Sequence, residues 1–232
     1  MANSYTRIEK GLVIKMLESE LVDKITAYLG KYRIRYAKEV RMGIGVPDVS
    51  INIGAMKSMA LISDYYLLSI AEYINGRNKA TICEISEHFS FDKIKTQNYI
   101  NQLVLERIVS QKDNVVHINR KIFGLNLGKT ISIEAKLKDW RSGILQAERY
   151  LMFSDFSYLA LPENKIHNVN QEQLKEKGIG LLSIGDKKIE EIVTPIQSAE
   201  CEYKQKYMLT SAIIKNNMQV TKRKPDGVFS EL

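Results

Sequence analysis

The 232-residue chain has only two cysteines, four prolines, three histidines and one tryptophan. Cys83 and Cys201 are too few for a disulfide framework or a thiolate zinc site, and neither stands in a CxxC spacing. His88, His117 and His167 have no metal-ligand spacing and no serine or cysteine partner, which disfavours a histidine-centred nuclease. No apolar run approaches the roughly 20 residues of a membrane span. The opening MANSYTRIEKG lacks the apolar core of a signal peptide, so a cytoplasmic protein with no membrane partner is expected. Gly178 and Gly180 form no phosphate loop, since no Lys-Ser/Thr follows them. Internal repeats and low-complexity tracts are absent as well.

What is present is 44% apolar and 26% charged, a balance that builds one or two compact domains rather than a disordered polymer. Thirty-four Lys and Arg against twenty-seven Asp and Glu leave +7. Summed positive charge attracts phosphates over long range, so a polyanion is the expected partner.

Ile8, Leu12, Met16, Leu17, Leu21, Ile25 and Leu29 recur at helical spacing, which predicts one long helix or two short ones closed by Gly30. Lys31, Arg33 and Arg35 alternate with Tyr32, Ile34 and Tyr36, as on a strand with a cationic face. A hairpin through Gly43 to Gly45 leads into the strand VPDVSINI. Residues 60–123 then read as three short helices and two extended segments, the order of a winged helix. Thr81 opens the second helix, Ser90 is an N-cap candidate for the third, and Lys112-Asp113-Asn114 is a polar tip. Its core candidates include Leu67, Leu68, Ile70, Ile82, Ile85, Phe89, Ile100, Leu103, Ile108 and Val116. Strand and helix signals alternate again to about residue 184, implying an α/β sheet that is partly parallel. The expected division is a core in two parts, 1–59 and 124–197, an inserted domain at 60–123, and a helical extension and tail at 198–232.

Alternation within VPDVSINI sends Val49, Ile51 and Ile53 one way and Asp48, Ser50 and Asn52 the other. In ISIEAKLK the same arithmetic puts Ile131, Ile133, Ala135 and Leu137 on the core face, and Ser132, Glu134, Lys136 and Lys138 opposite. Two carboxylates and a lysine on the polar faces of apolar-alternating strands suit a hard cation such as Mg²⁺. Asp48, Glu134 and the carbonyl of Ala135 are the candidate metal ligands, and Lys136 the group that orients a water or offsets charge on a phosphate.

Pro47-Asp48 followed by Glu134-Ala135-Lys136 resembles the signature of the PD-(D/E)XK nuclease superfamily, over about 1–58 and 128–195. The resemblance implies a restriction-endonuclease-like fold, a mixed central sheet flanked by helices, and Mg²⁺-dependent cleavage of DNA with Mn²⁺ as a substitute. One departure is the long separation of Asp48 from Glu134, which an inserted winged helix explains. The family also implies a metal-binding glutamate on the first helix, here Glu9, although Glu18 and Glu20 share that stretch, and Glu39 is a further neighbour. Gln146 and Tyr150, spaced i,i+4, resemble a QxxxY pattern in which the glutamine supports the site, whereas Tyr150 is as readily a core residue.

In the insert, Lys95, Asn98 and Gln102 fall on the outer face of the third helix and are the base-reading candidates, although 60–123 is nearly neutral. Lys31, Arg33, Arg35, Arg141 and the tail cations Lys222, Arg223 and Lys224 are candidates for phosphate contacts. The expectation is a metal-dependent DNA endonuclease, with a homodimer supplying the second site for a double-strand break. The alternative is a non-catalytic winged-helix DNA-binding regulator, with the α/β part an oligomerisation module or a degenerate nuclease scaffold. The two differ in whether Asp48, Glu134 and Lys136 converge.

Overall fold

In a computed structural model of the chain, the described residues are 5–9, 12–217 and 228–229, with side chains described from residue 17 onward. Two compact units emerge: Met1–Ile53 with Lys129–Leu232, and Gly54–Gly128. The second unit is thus wider than the predicted insert, and the last helix belongs to the first unit rather than to a separate extension.

The chain opens with an antiparallel pair, β1 (Tyr5–Glu9) and β2 (Leu12–Met16), where the apolar spacing predicts helix. Only the second half of that prediction is helical, as α1 (Glu18–Lys31). The helical spacing of Ile8, Leu12 and Met16 falls on two short strands, an ambiguity inherent in short runs. Leu21, Ile25 and Leu29 form the buried stripe of α1 and pack on Ile51, Ile131, Ile133, Tyr158 and Leu182. The helix runs through Gly30, and the chain turns at Arg33, whose φ is 54°. The Ile34 amide closes this turn on the Leu29 carbonyl at 2.9 Å. Lys31 therefore ends a helix, Arg33 sits in a turn and Arg35 opens β3 (Arg35–Lys38), so the three cations do not share a strand face. β4 (Val49–Ile53) follows.

The second unit contains α2 (Tyr65–Arg77), β5 (Lys79–Thr81), α3 (Ile82–Phe89), α4 (Lys93–Leu105), β6 (Val109–Lys112) and β7 (Val115–Ile118). Its strands form an antiparallel sheet of order β5-β7-β6, with Asp113 at φ 53° in the tight turn between β6 and β7. Asp64, Thr81 and Asp92 cap the three helices through their side chains, Thr81 in a reciprocal capping box with Glu84. Such caps are each worth about 1 kcal/mol. Ser90 is not the expected N-cap: it terminates α3 in the left-handed region, and Asp92 starts α4. Leu68, Ile70, Ile74, Ile85, Ile100, Leu103 and Val116 are fully buried in this unit.

The first unit resumes with β8 (Lys129–Ala135), α5 (Trp140–Tyr150), β9 (Phe156–Pro162), a 3-10 turn (Glu163–Asn168), α6 (Gln171–Glu176), β10 (Gly180–Ile184), β11 (Ile189–Val193) and α7 (Tyr203–Asn216). Its sheet is mixed, in the order β11-β10-β9-β8-β4-β3. β8, β9 and β10 are parallel, joined through α5 and α6, and the remaining pairs are antiparallel. Parallel strands lie between covering layers and read as apolar runs, as FSYLALP and GLLSI do. α1 covers one face. On the other, Trp140, Ile144 and Ala147 of α5 pack on Leu159, Leu161 and Leu181, while Leu209 and Ile213 of α7 join Ala37, Tyr150 and Phe153. Among the described residues, no helix is long and apolar enough to cross a membrane.

Candidate active site

β4 and β8 are antiparallel, with Val49 opposite Ile133. One step beyond that pair the same register sets Asp48 opposite Glu134, at the C-terminal end of β8. The Asp48 side chain caps the end of this pairing, its Oδ2 accepting the Ala135 N–H at 2.7 Å. The Lys136 N–H donates to the Ala160 carbonyl on the other side, at 2.9 Å. Since the amide and carbonyl of a strand residue point to the same neighbour, the Ala135 carbonyl faces the Asp48 side.

Glu134 is 2% exposed, and both its oxygens are engaged. The Lys136 ammonium donates to Oε1 at 2.5 Å and the Tyr150 hydroxyl to Oε2 at 2.5 Å. The same hydroxyl lies 3.2 Å from the Val46 carbonyl, which ties α5 to the segment before Asp48. Glu18, in the first turn of α1, accepts the Leu137 N–H at 3.5 Å, and its charge acts on both Asp48 and Lys136.

Local sequence explains the closeness of these groups. Asp139 caps α5 by accepting the Ser142 N–H at 3.2 Å, so the helix starts within one turn of Lys136. Gly143 lets it approach: a Cβ there would meet Leu159 Cδ1 at 2.5 Å and Lys136 Cγ at 3.0 Å. Gly45 does the same for the loop, where a Cβ would lie 2.6 Å from Tyr150 Cε1.

The electrostatics are those of an acid-rich corner. Burial, then the Glu134 charge, pushes Asp48 up to about 6, against the Ala135 N–H and Lys136, which favour its ionised form. Burial opposes the Lys136 ammonium, but the Glu134 hydrogen bond and charge, with Glu18 and Asp48, outweigh it and hold its pKa above the ordinary value. Lys136 is therefore a cation at neutral pH and not a base. Burial and the bond to Glu134 raise the Tyr150 phenol, so it stays a donor.

Among the described residues, no group of three or more His, Cys, Asp or Glu side chains is arranged to hold a metal ion. A cation here would therefore draw on the Asp48 and Glu134 carboxylates and the Ala135 carbonyl. That donor set is all oxygen, which suits a hard ion.

Other predicted site residues lie elsewhere. Glu9 stands on β1 rather than on a helix, and its side chain falls outside the described residues; Glu18 holds the place on the first helix instead. Glu39 is exposed just after β3, linked to Asp48 through its backbone, its N–H donating to the Asp48 carbonyl at 3.3 Å. Gln146 is half-buried, and its amide oxygen accepts from Ser142 Oγ at 3.5 Å within α5. The Arg141 guanidinium lies over the Trp140 ring, 4.4 Å from its centroid. Lys31 lies 5.3 Å from the Tyr32 ring centroid, and Arg35 is half-buried, its pKa lowered by burial. In the second unit Lys95, Asn98 and Gln102 are exposed, but the Lys95 ammonium already lies 4.2 Å from the Phe91 ring centroid. Lys222, Arg223 and Lys224 lie outside the described residues. Glu18 and Tyr150 were both visible in the sequence as alternatives. Only the position of the α1 start and the i,i+4 phase to Gln146 could have promoted them.

Comparison of the chain with family models, with curated proteins and with solved structures finds no match.

Proposed function

We propose that the chain is a metal-dependent DNA endonuclease of the PD-(D/E)XK type, with residues 54–128 a winged helix that positions the DNA. The single observation carrying this reading is the convergence of Asp48, Glu134 and Lys136, remote in sequence, on one acid-rich corner of the sheet. A regulator has no need of that cluster. The helix, strand, helix, helix, strand, strand order of the second unit and its antiparallel β5-β7-β6 sheet support the winged helix.

Asp48, Glu134 and the Ala135 carbonyl would hold Mg²⁺, which when bound supplies an acidified water and neutralises charge on the scissile phosphate. The chain's own groups do the remaining work. The Ala135 N–H fixes Asp48 by one oxygen, and the Tyr150 hydroxyl fixes Glu134 by one oxygen. Lys136 presents a permanent positive charge and N–H donors where negative charge grows on the phosphate oxygens. Burial of Glu134 and Asp48 in low dielectric strengthens each of these interactions.

The test is supercoiled plasmid with Mg²⁺, comparing wild type, Asp48→Ala, Lys136→Ala and wild type with chelator. Nicked or linear product from wild type alone is expected. Cleavage persisting in both variants, or no cleavage of any DNA form by wild type, would overturn the reading, the second outcome in favour of a DNA-binding regulator.

A further inference from the structure

The loop between β3 and β4 carries four apolar side chains, two turned into the core and two toward solvent. Val40 and Met42 are buried against Tyr150, Phe153, Leu209 and Ile213. Ile44 and Val46 are 41% and 45% exposed, on the segment that leads directly into Asp48. Two residues span at most about 7 Å of extended chain, so Val46 lies at the rim of the acid-rich corner.

The loop is pinned rather than slack. The Glu39 N–H meets the Asp48 carbonyl at 3.3 Å, the Met42 N–H meets the Gly45 carbonyl at 3.0 Å, and the Ile44 N–H meets the Met42 carbonyl at 2.9 Å. The hydroxyl of Tyr150 links the Val46 carbonyl to Glu134. Gly43, at φ 78°, makes the turn, and Gly45 packs on the Tyr150 ring. Glycines on either side of Ile44 leave the tip thin, and β-branched side chains hold few rotamers, so little entropy is lost when such a tip is inserted between flat surfaces. Arg41, exposed on the same loop, adds a basic side chain beside the tip.

The geometry points to Ile44 and Val46 as an apolar wedge that enters the base stack of duplex DNA beside the phosphate held at Glu134 and Lys136. This rests on the nuclease reading and names its substrate class: duplex DNA whose step next to the cut unstacks at low cost, such as a pyrimidine–purine step, a mismatch or a strand interruption. Because the wedge and Glu134 share Tyr150, a duplex that resists opening does not seat its phosphate.

The test uses the full chain and a duplex bearing 2-aminopurine next to the cleaved phosphate, with Ca²⁺ in place of Mg²⁺ to prevent cleavage. Wild type raises the fluorescence at one step, and the Ile44→Ser/Val46→Ser double variant does not. With Mg²⁺ the double variant cuts the intact duplex at least about 10-fold more slowly, yet comes within about 3-fold of wild type on a duplex mismatched at that step. Both side chains are exposed, so circular dichroism should show an unchanged fold. Equal rates on the intact duplex, equal losses on both duplexes, or unchanged fluorescence in the variant would overturn the wedge alone. A wild type that cuts neither duplex would remove the nuclease reading and the wedge with it.

Discussion

Two largely buried carboxylate–lysine pairs lie against the polar face of β8, one at Thr130 and one at Glu134, and they differ in one respect that matters. At the start, Asp155 accepts from the Thr130 N–H at 2.7 Å, the Thr130 hydroxyl at 3.0 Å and the Lys206 ammonium at 2.8 Å. At the end, Glu134 accepts from Lys136 and Tyr150, with Asp48 and Glu18 crowding in. The first pair is one charge against one, fully hydrogen-bonded, and it fastens α7 to the sheet. The second leaves carboxylates in excess of ammonium, and burial, then the Glu134 charge, raises Asp48 toward neutral pH. Burial and an ion pair are common to both ends, so neither marks a functional site. The excess of carboxylate is confined to the Glu134 end.

The sharpest test of this contrast exchanges activity for stability. Glu134→Gln should lower cleavage by about 10²–10³-fold. In chelator it should cost less in urea unfolding than the next variant, because Gln keeps the shape of Glu134 and the charges of Asp48 and Glu18 still act on Lys136. Asp155→Ala should instead cost about 3 kcal/mol or more in urea unfolding, by stranding Lys206 and the Thr130 amide. If Asp155→Ala proves the milder change, the two ends are not different in kind.

A smaller effect, of opposite sign, belongs to Asp48. Its carboxyl rises from 3.8 to about 6 on folding. The unfolded chain therefore releases its proton first, and stability falls as pH climbs through the window from about 4 to 6. In chelator, Asp48→Asn should be more stable than wild type by up to about 3 kcal/mol at pH 7. The advantage should vanish near pH 3.5, where both forms are neutral, as melting across pH would report. Saturating Mg²⁺ should reverse the order by stabilising wild type alone. The least disruptive change, Tyr150→Phe, should cost about 1 kcal/mol of stability by removing one hydrogen bond. It should also slow cleavage by freeing an oxygen of Glu134, with kcat reduced more than KM.

Much of the acidic end was visible in the one-dimensional pattern, because alternation on β8 puts Glu134 and Lys136 on one face and antiparallel pairing with β4 brings up Asp48. Strand periodicity is a local property, and it survives folding. The balanced end was not visible, since Asp155 and Lys206 sit in unremarkable contexts far apart and only the packing of α7 joins them. Two predictions failed for a shared reason. The stretch from Ile8 to Met16 reads equally as helix or strand, and so forms β1 and β2. The alternation of Lys31 to Tyr36 is too short to outweigh the helix that continues through Gly30, so it bends at Arg33. Glu9 lies on β1 for the same reason, and Glu18 is the glutamate in the first turn of α1.

The second unit begins and ends on neighbours: Ile53 pairs with Lys129, and Gly54, at φ 86°, would bring a Cβ within 3.9 Å of the Cα of Gly128, itself at φ 69°. In topological terms β4 and β8 are the arms of a hairpin whose turn has been replaced by a folded body. Exchanging Gly54–Gly128 for a short Asn-Gly turn should therefore leave the six-stranded sheet able to assemble, with a smaller loop-closure entropy to overcome. The acidic corner, at the other end of those arms, could then be studied apart from the excised body.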